Sequence, residues 1–169
     1  MKKICLALTF VVFAGGMAAA QKTFYNKEYK VGFKYPATLK IAKSQADPEE
    51  GFKNLTEAIV IHPGRHIFGA TATLAAGKVT REACKAMPQA SEEEKARPKR
   101  FGATTFYKVS ELDGGMESVQ QFEFYRTFQN NTCYQITLQV GMAKNARGPV
   151  DEKSAFAKLY NVLSTMYFR

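Results

Sequence analysis

Two histidines, His62 and His66, stand four residues apart in the stretch HPGRH. That spacing places two zinc ligands on one side of a helix. Pro63 and Gly64 lie between them, however, and these residue types favour a turn. No third ligand lies nearby in the sequence. We therefore interpret both as partly exposed loop histidines, keep them as the candidates for a metal site, and expect no cofactor.

The other polar residues match no catalytic pattern. The serines lack the G-x-S-x-G setting of a hydrolase nucleophile, and a glycine-rich phosphate loop is absent from the sequence. The acidic stretches DPEE (47–50) and ELDGGME (111–117) lack the ligand spacing of a calcium loop. We therefore predict no catalytic residues and a non-enzymatic protein, with a hydrolytic enzyme as the less favoured alternative.

The first 20 residues have the form of a secretory signal peptide. They combine a basic start, an apolar run over residues 4–14, and Ala18 and Ala20 placed as a cleavage site before Gln21. The apolar run is too short for a stable membrane span, although retention as an uncleaved anchor is the alternative. We predict export across a bacterial inner membrane, to the periplasm or beyond, and one domain over residues 21–169.

Two cysteines, Cys84 and Cys133, remain after this segment is removed. An even number of cysteines in an oxidising compartment favours a disulfide. The alternative is a reactive thiol, which needs a neighbouring base, and only His62 and His66 are available for that role. We predict the disulfide.

The chain is basic, with a formal net charge of +9 that falls to +7 when Lys2 and Lys3 are removed. Such a charge attracts anionic surfaces, including phospholipid head groups, although solvated lysines are the simpler explanation. The basic residues are scattered, and no aromatic-interleaved stripe indicates nucleic-acid binding. The anion contacts that we predict, on the condition that they share one face, are Arg65, Lys99, Arg100 and Lys108.

The elements that position these residues begin with two strands. A lead-in strand is predicted over residues 21–28, and a second contains Val31, Phe33 and Tyr35 in alternation with lysines. Pro36 has no amide hydrogen for a sheet ladder, so the second strand must end there or lie at an edge.

Short elements separated by proline and glycine turns follow. The helix among them is predicted to have Thr80 as its N-cap and to stop before Pro88, with a polar loop after it. The predicted elements are irregular chain over 37–54, strands over 57–63 and 66–77 forming a hairpin, a helix over 79–87, and a strand over 100–112.

The hairpin SVQQFEFYRTF–NNT–CYQITLQVGM is the strongest local signal in the chain. Placing Phe128 opposite Tyr134 sets Phe124 opposite Leu138 and gives one apolar face. This register predicts a three-residue NNT turn. Cys133 then points away from the apolar face, so a disulfide to Cys84 requires the short helix to lie on the opposite side of the sheet.

The C-terminal stretch GPVDEKSAFAKLYNVLSTMYFR predicts an amphipathic helix with Asp151 as its N-cap. We expect it to cover the sheet rather than a membrane, because the strands need a second layer. The final MYFR is alternatively an edge strand. The helical stripe consists of Phe156, Leu159, Tyr160, Leu163, Met166 and Tyr167.

This order of elements resembles PsbP-type domains, a family that includes the extrinsic subunit of photosystem II and exported bacterial proteins. The resemblance implies an α+β fold: an antiparallel sheet of about five to six strands flanked by helices in an α/β/α sandwich. It brings no site residue to this chain, since none of the family's metal or partner positions is matched. The residues that carry it are Gly32, Phe33, Tyr35, Pro36, Leu163, Ser164, Met166 and Phe168.

Two functions follow as expectations. The first is a protein-binding accessory module of the cell envelope, which predicts an exposed aromatic or basic patch outside the core. The second is binding of anionic lipid head groups or surface polymers through the basic charge.

Overall fold

The computed structural model describes residues 21–45, 47–87, 96–115, 118–143 and 149–169. Its elements are β1 Lys22–Asn26, β2 Val31–Tyr35, β3 Leu39–Ala42, β4 Phe52–Val60, β5 Ile67–Gly77, α1 Arg81–Ala86, β6 Arg97–Phe101, β7 Thr104–Gly114, β8 Ser118–Gln129, β9 Thr132–Ala143, α2 Pro149–Ser164 and β10 Tyr167–Phe168.

The strands form two antiparallel sheets, which confirms the predicted α+β class. One has seven strands in the order β3-β4-β5-β9-β8-β7-β6, and the other has three in the order β1-β2-β10. The predicted five to six strands were too few for two reasons. Residues 37–54, predicted to be irregular, contain β3 and the start of β4. The predicted strand over 100–112 belongs to two strands, because Gly102, at φ +56°, turns the chain between β6 and β7.

Helix α2 packs against β2, β4, β5 and β9. Its residues Phe156, Leu159 and Leu163 are buried, as the helical stripe predicted, and meet alternate apolar residues of β5 and β9. The helix begins at Pro149, so Asp151 lies in its first turn and is not the N-cap that we predicted.

The small sheet closes the core beside α2. Strand β2 buries Val31 and Phe33 and ends at Tyr35, directly before Pro36, as predicted. The turn after it is closed by the amide of Leu39, which donates to the carbonyl of Pro36 at 3.0 Å. The alternative of a final edge strand is also confirmed, because β10 pairs with β2.

The β8–β9 hairpin has a register that differs by one residue from the prediction. Asn130 and Asn131, at φ 49° and 57°, make a two-residue turn, and Phe128 therefore lies opposite Cys133. Asparagine tolerates the left-handed conformation, and such a tight turn matches the twist of the strands. Slipping the register by one residue moves Phe124 to the side of the sheet opposite the apolar residues of β9.

Candidate functional site

The face of the seven-stranded sheet turned away from α2 is called the open face below. Directly opposed residues of antiparallel strands share a face, so the pairs Phe124–Thr137 and Phe122–Gln139 both lie on it, as does Thr73 opposite Thr137. Of the two helices in the described part of the chain, the six-residue α1 is the one that packs on this side. In the predicted α/β/α sandwich, helices cover both faces of the sheet. Among the described residues, the second face is covered by a helix at one end only, where α1 packs on β8.

A concave depression on the open face, called the basin, has a volume of about 330 Å³. Its floor consists of hydroxyl, amide and small side chains from β5 and β9, and one wall is aromatic. The loop before β4 borders it on another side. The lining residues are Asp47, Pro48, Glu49, Asn54, Thr73, Ala75, Phe122, Phe124, Gln135, Thr137 and Gln139.

The aromatic wall is formed by Phe122 and Phe124, whose rings are nearly parallel, with centroids 6.0 Å apart. Beside the wall, the amide of Gln139 donates to the side-chain oxygen of Gln120 at 2.6 Å. Further along β9, the ring of Phe68 lies directly over Gly141, where a Cβ atom would collide with it. Phe68 is 63% exposed, so the open face carries one exposed aromatic side chain outside the core.

Arg126 is buried beneath the wall of the basin and joins the parts around it. Its Nη2 donates to both carboxylate oxygens of Glu49, at 2.6 and 2.5 Å, and its Nε donates to Oε1 of Gln135 at 2.7 Å. Its Nη1 donates to the carbonyl of Ala83 in α1 at 3.4 Å. A buried cation requires such pairing, and the bonds hold the loop, the floor and α1 together.

The predicted disulfide between Cys84 and Cys133 is present, with Cα atoms 5.6 Å apart. It fastens α1 to β9 on the open face. The helix therefore lies opposite the apolar residues of β9, as predicted, but on the same side as Phe124 and Phe128, because the register is shifted by one residue. Thr80 caps α1, accepting a bond from the amide of Ala83 at 3.1 Å, as predicted.

A polar cluster lies on the α2 side of the sheet, around the carboxylate of Glu123. Lys108 Nζ donates to it at 2.5 Å, the Tyr125 hydroxyl at 2.8 Å and the Tyr160 hydroxyl at 3.0 Å. Burial, followed by the charge of Glu123, raises the pKa of Tyr160 to about 12 and also raises the pKa of Tyr125. Both tyrosines are therefore neutral donors at physiological pH, and Glu123 has its acceptor positions occupied.

The candidate metal ligands are exposed on a turn. His62 and His66 contribute backbone carbonyls, which accept bonds from Lys158 Nζ at 2.9 Å and from the amide of Ala143 at 3.2 Å. Within the described ranges, no group of three potential ligands is close enough to hold a metal ion.

The four predicted anion contacts do not form one cluster: Lys99, Arg100 and Lys108 lie on the paired strands β6 and β7, and Arg65 lies far from them. Lys108 pairs with Glu123, whereas Lys99 and Arg100 lie on the edge strand β6. Arg65 lies before the start of β5, near the opposite ends of the strands. With a rise of 3.3 Å per residue, it is about 30 Å from the other three residues along the strand direction. At the predicted cleavage site, Gln21 is exposed and Ala20 lies outside the described residues.

The basin itself was missed by the sequence analysis. Its wall and floor come from the alternating Phe122–Phe124 and Gln135–Gln139 pairs, which are visible in the sequence. The predicted three-residue turn would have placed those phenylalanines on the α2 side, whereas the observed two-residue turn places them on the open face. The Asn-Asn pair was the signal for the shorter turn, because both residues accept positive φ.

Comparison with solved structures shows similar folds. A protein from Bacteroides thetaiotaomicron VPI-5482 aligns with a TM-score of 0.57 and 13% identity over 88% of this chain. This chain spans about half, 48%, of that protein's length. Identity at this level shows similarity of fold alone.

Cyanobacterial PsbP from Synechocystis sp. PCC 6803 is also among the similar structures, as the predicted resemblance implied. It aligns with a TM-score of 0.40 and 11% identity over 96% of this chain and 99% of its own. LpqN, involved in cell envelope biogenesis of Mycobacterium tuberculosis, aligns with a TM-score of 0.39 and 8% identity over 87% and 89%.

No protein-family model and no curated protein matches this chain. Among the described residues, no helix is both long and apolar enough to cross a membrane.

Proposed function

We propose that this protein is an exported, non-enzymatic accessory module that binds a partner protein through the open face of its seven-stranded sheet. The observation that supports this most directly is the composition of the basin, which has an uncharged floor beside an aromatic wall. Protein interfaces have this character, with aromatic residues enriched and charges depleted at the centre and a polar rim around it.

The side chains of the basin suit contact better than proton transfer. Thr73, Thr137 and Gln139 do not titrate, and they offer donors and acceptors to a partner's polar groups. The carboxylate of Glu49 is engaged by Arg126. These properties favour binding over acid–base catalysis.

The charges around the basin indicate the character of the partner. Asp47 lines it, Glu57 lies opposite Thr73, and Glu111 lies opposite Phe122. The cations of the same face lie farther out, Lys40 on β3 and the exposed Arg81 and Lys85 on α1. The acids nearest the basin favour a partner whose contacting surface is basic, because complementary potentials speed and orient association.

Export is supported by the form of the first 20 residues and by the disulfide, which persists in oxidising compartments. The disulfide also fastens α1 against the open face. An interface whose geometry is held in advance loses less entropy on binding.

The test is capture of partners from envelope extract of the native cells by the mature, oxidised protein at low and high salt. Thr137→Arg places a bulky cation on the floor of the basin. Leu112→Arg is the matched control: Leu112 is 69% exposed and faces the α2 side, opposite Gln121. Thermal unfolding of both variants checks that they fold.

We expect the wild type and Leu112→Arg to capture one and the same protein at high salt, and Thr137→Arg to capture at least about tenfold less of it, since central contacts dominate binding energy. Phe68→Ala should weaken capture in the same direction. Equal capture by the two arginine variants, or no protein captured by the wild type, would overturn the proposal.

A further inference from the structure

A second concave site lies where the two sheets meet, and it is called the junction cleft. Its volume is about 370 Å³. The β1–β2 turn and the residue after β10 line one side, and the ends of β5 and the β8–β9 hairpin line the other. The lining residues are Glu28, Tyr29, Lys30, Lys78, Asn130, Thr132, Tyr134 and Arg169.

Two of its cations are held in place by neutral groups. The guanidinium of Arg169 lies 5.4 Å from the centroids of both Tyr25 and Tyr167, whose rings are stacked 6.1 Å apart. Lys78 Nζ donates to the hydroxyl of the buried Thr132 at 2.8 Å. Stacking and hydroxyl contacts position the cations without neutralising them.

Hydrogen bonds across the junction fix the walls of the cleft. The hydroxyl of Tyr134 donates to the carbonyl of Tyr29 at 2.6 Å, and the amide of Arg169 donates to the carbonyl of Lys30 at 2.9 Å. The side-chain amide of Asn130 donates to a backbone carboxyl oxygen of Arg169 at 3.2 Å. The cleft is therefore built before any ligand arrives, which lowers the entropy lost on binding.

The charge of the cleft is unbalanced. Its one acidic lining side chain, Glu28, is paired with Lys53 at 2.9 Å, and the backbone carboxyl oxygen of Arg169 accepts a bond from Asn130. Lys30, Lys78 and Arg169 have no carboxylate partner among the residues that the structure describes. Three cations facing one cleft raise the local concentration of anions, and charge-assisted hydrogen bonds to oxyanions are the strong ones.

We propose that the junction cleft binds a phosphate-type oxyanion, carried either by a small soluble molecule or by a phospholipid head group. Lys78 and Arg169 provide the contacts, and Lys30 adds charge at the entrance turn. This site is separate from the open face and does not depend on the partner proposed for that face. In this proposal, the anion binding that the basic charge predicted occurs at Lys30, Lys78 and Arg169. The four residues chosen from the sequence do not take part.

The test uses two probes on the mature, oxidised protein at about 50 mM salt, where screening is modest. Inorganic phosphate is titrated against amide chemical shifts, and vesicles of phosphatidylcholine with and without phosphatidylglycerol are cosedimented with the protein. Lys78→Gln is compared with Lys99→Gln, which removes the same charge from an exposed position on the edge strand β6. Thermal unfolding confirms that both variants are folded.

We expect Lys78→Gln to weaken binding about tenfold, the loss typical of one hydrogen bond to a charged group, and Lys99→Gln to change it by less than about twofold. Response to phosphate identifies a soluble ligand, and response to phosphatidylglycerol vesicles alone identifies a head group. Either result supports anion binding in the junction cleft if Lys78→Gln weakens binding and Lys99→Gln does not. Binding of neither probe, or equal weakening by the two variants, would overturn the proposal.

Discussion

The hydroxyl of Tyr160 on α2 donates a 3.0 Å hydrogen bond to the carboxylate of Glu123 on β8. This bond joins the helix to the sheet, and Lys108 and Tyr125 complete the donors around the same carboxylate. A buried carboxylate is stable only when its acceptor positions are filled. The cluster therefore makes the attachment of α2 sensitive to the protonation of Tyr160.

Alkaline pH should weaken the fold through this cluster. An unfolded tyrosine has a pKa of about 10, whereas the pKa of Tyr160 in the folded protein is about 12. The folded state then binds more protons than the unfolded state, so this contribution to stability is complete below pH 10 and is lost as pH rises towards 12.

Urea unfolding between pH 8 and 12 measures this effect. Tyr160→Phe should cost about 1 kcal/mol at pH 8 and should flatten the alkaline decline, leaving the part that belongs to Tyr125 and Tyr134, whose pKa values burial also raises. An unchanged decline in the variant would contradict the assignment to Tyr160.

Removing Lys108 should destabilise the protein by leaving Glu123 without its charged partner. The Glu123 side chain is 6% exposed and that of Lys108 is 28% exposed, so we expect Lys108→Met to cost about 2 kcal/mol. The double variant Lys108→Met, Glu123→Gln should recover part of this loss, because the glutamine carries no charge. Additive losses in chemical denaturation of the single and double variants would contradict the coupling.

The disulfide should contribute strongly to stability. Its cysteines are 49 residues apart in the sequence, and a closed loop of this length is worth about 4 kcal/mol on the chain-entropy model. Cys84→Ala with Cys133→Ala should therefore lower the free energy of unfolding by about that amount, and a reducing agent should affect the wild type but not the variant. A variant as stable as the oxidised wild type would contradict this prediction and would show that the other contacts of α1 are enough to hold it on the sheet.

Gly32 and Gly69 should respond differently to alanine. A Cβ atom on Gly32 would lie 2.7 Å from the carbonyl oxygen of Phe24 and 2.5 Å from the hydroxyl of Tyr167, whereas one on Gly69 would meet nothing within 4 Å. We expect Gly32→Ala to cost about 2 kcal/mol by overpacking the small sheet and Gly69→Ala to be neutral within about 0.5 kcal/mol. Thermal unfolding distinguishes them, and equal melting temperatures would contradict the packing of Tyr167 against β2.

Local patterns in the sequence were sufficient for several elements. Pro36 ends β2 because proline cannot continue the ladder, Thr80 caps α1 with its own side chain, and the apolar period of α2 marks its buried stripe. The two cysteines that follow the predicted signal peptide also predicted their bond. Each of these features depends on a few neighbouring residues or on composition.

The candidate sites depended on contacts between distant segments. The register of β8 and β9 followed from the turn conformation of Asn130 and Asn131, and a shift of one residue exchanged the two faces of β8. That exchange placed Phe122 and Phe124 on the open face. The two local preferences, for a tight turn and for one apolar face, pointed to different registers.

By itself, the sequence determined the α+β class, the positions of the main breaks, the disulfide and a basic net charge. Only the tertiary structure decided which side of each strand is covered and which cations face each other. Lys78 and Arg169 are 91 positions apart in the chain, yet they line one cleft because two separate sheets meet there. Periodicity specifies which residues share a face of one element, but the positions of faces from different elements are set by packing across the whole core.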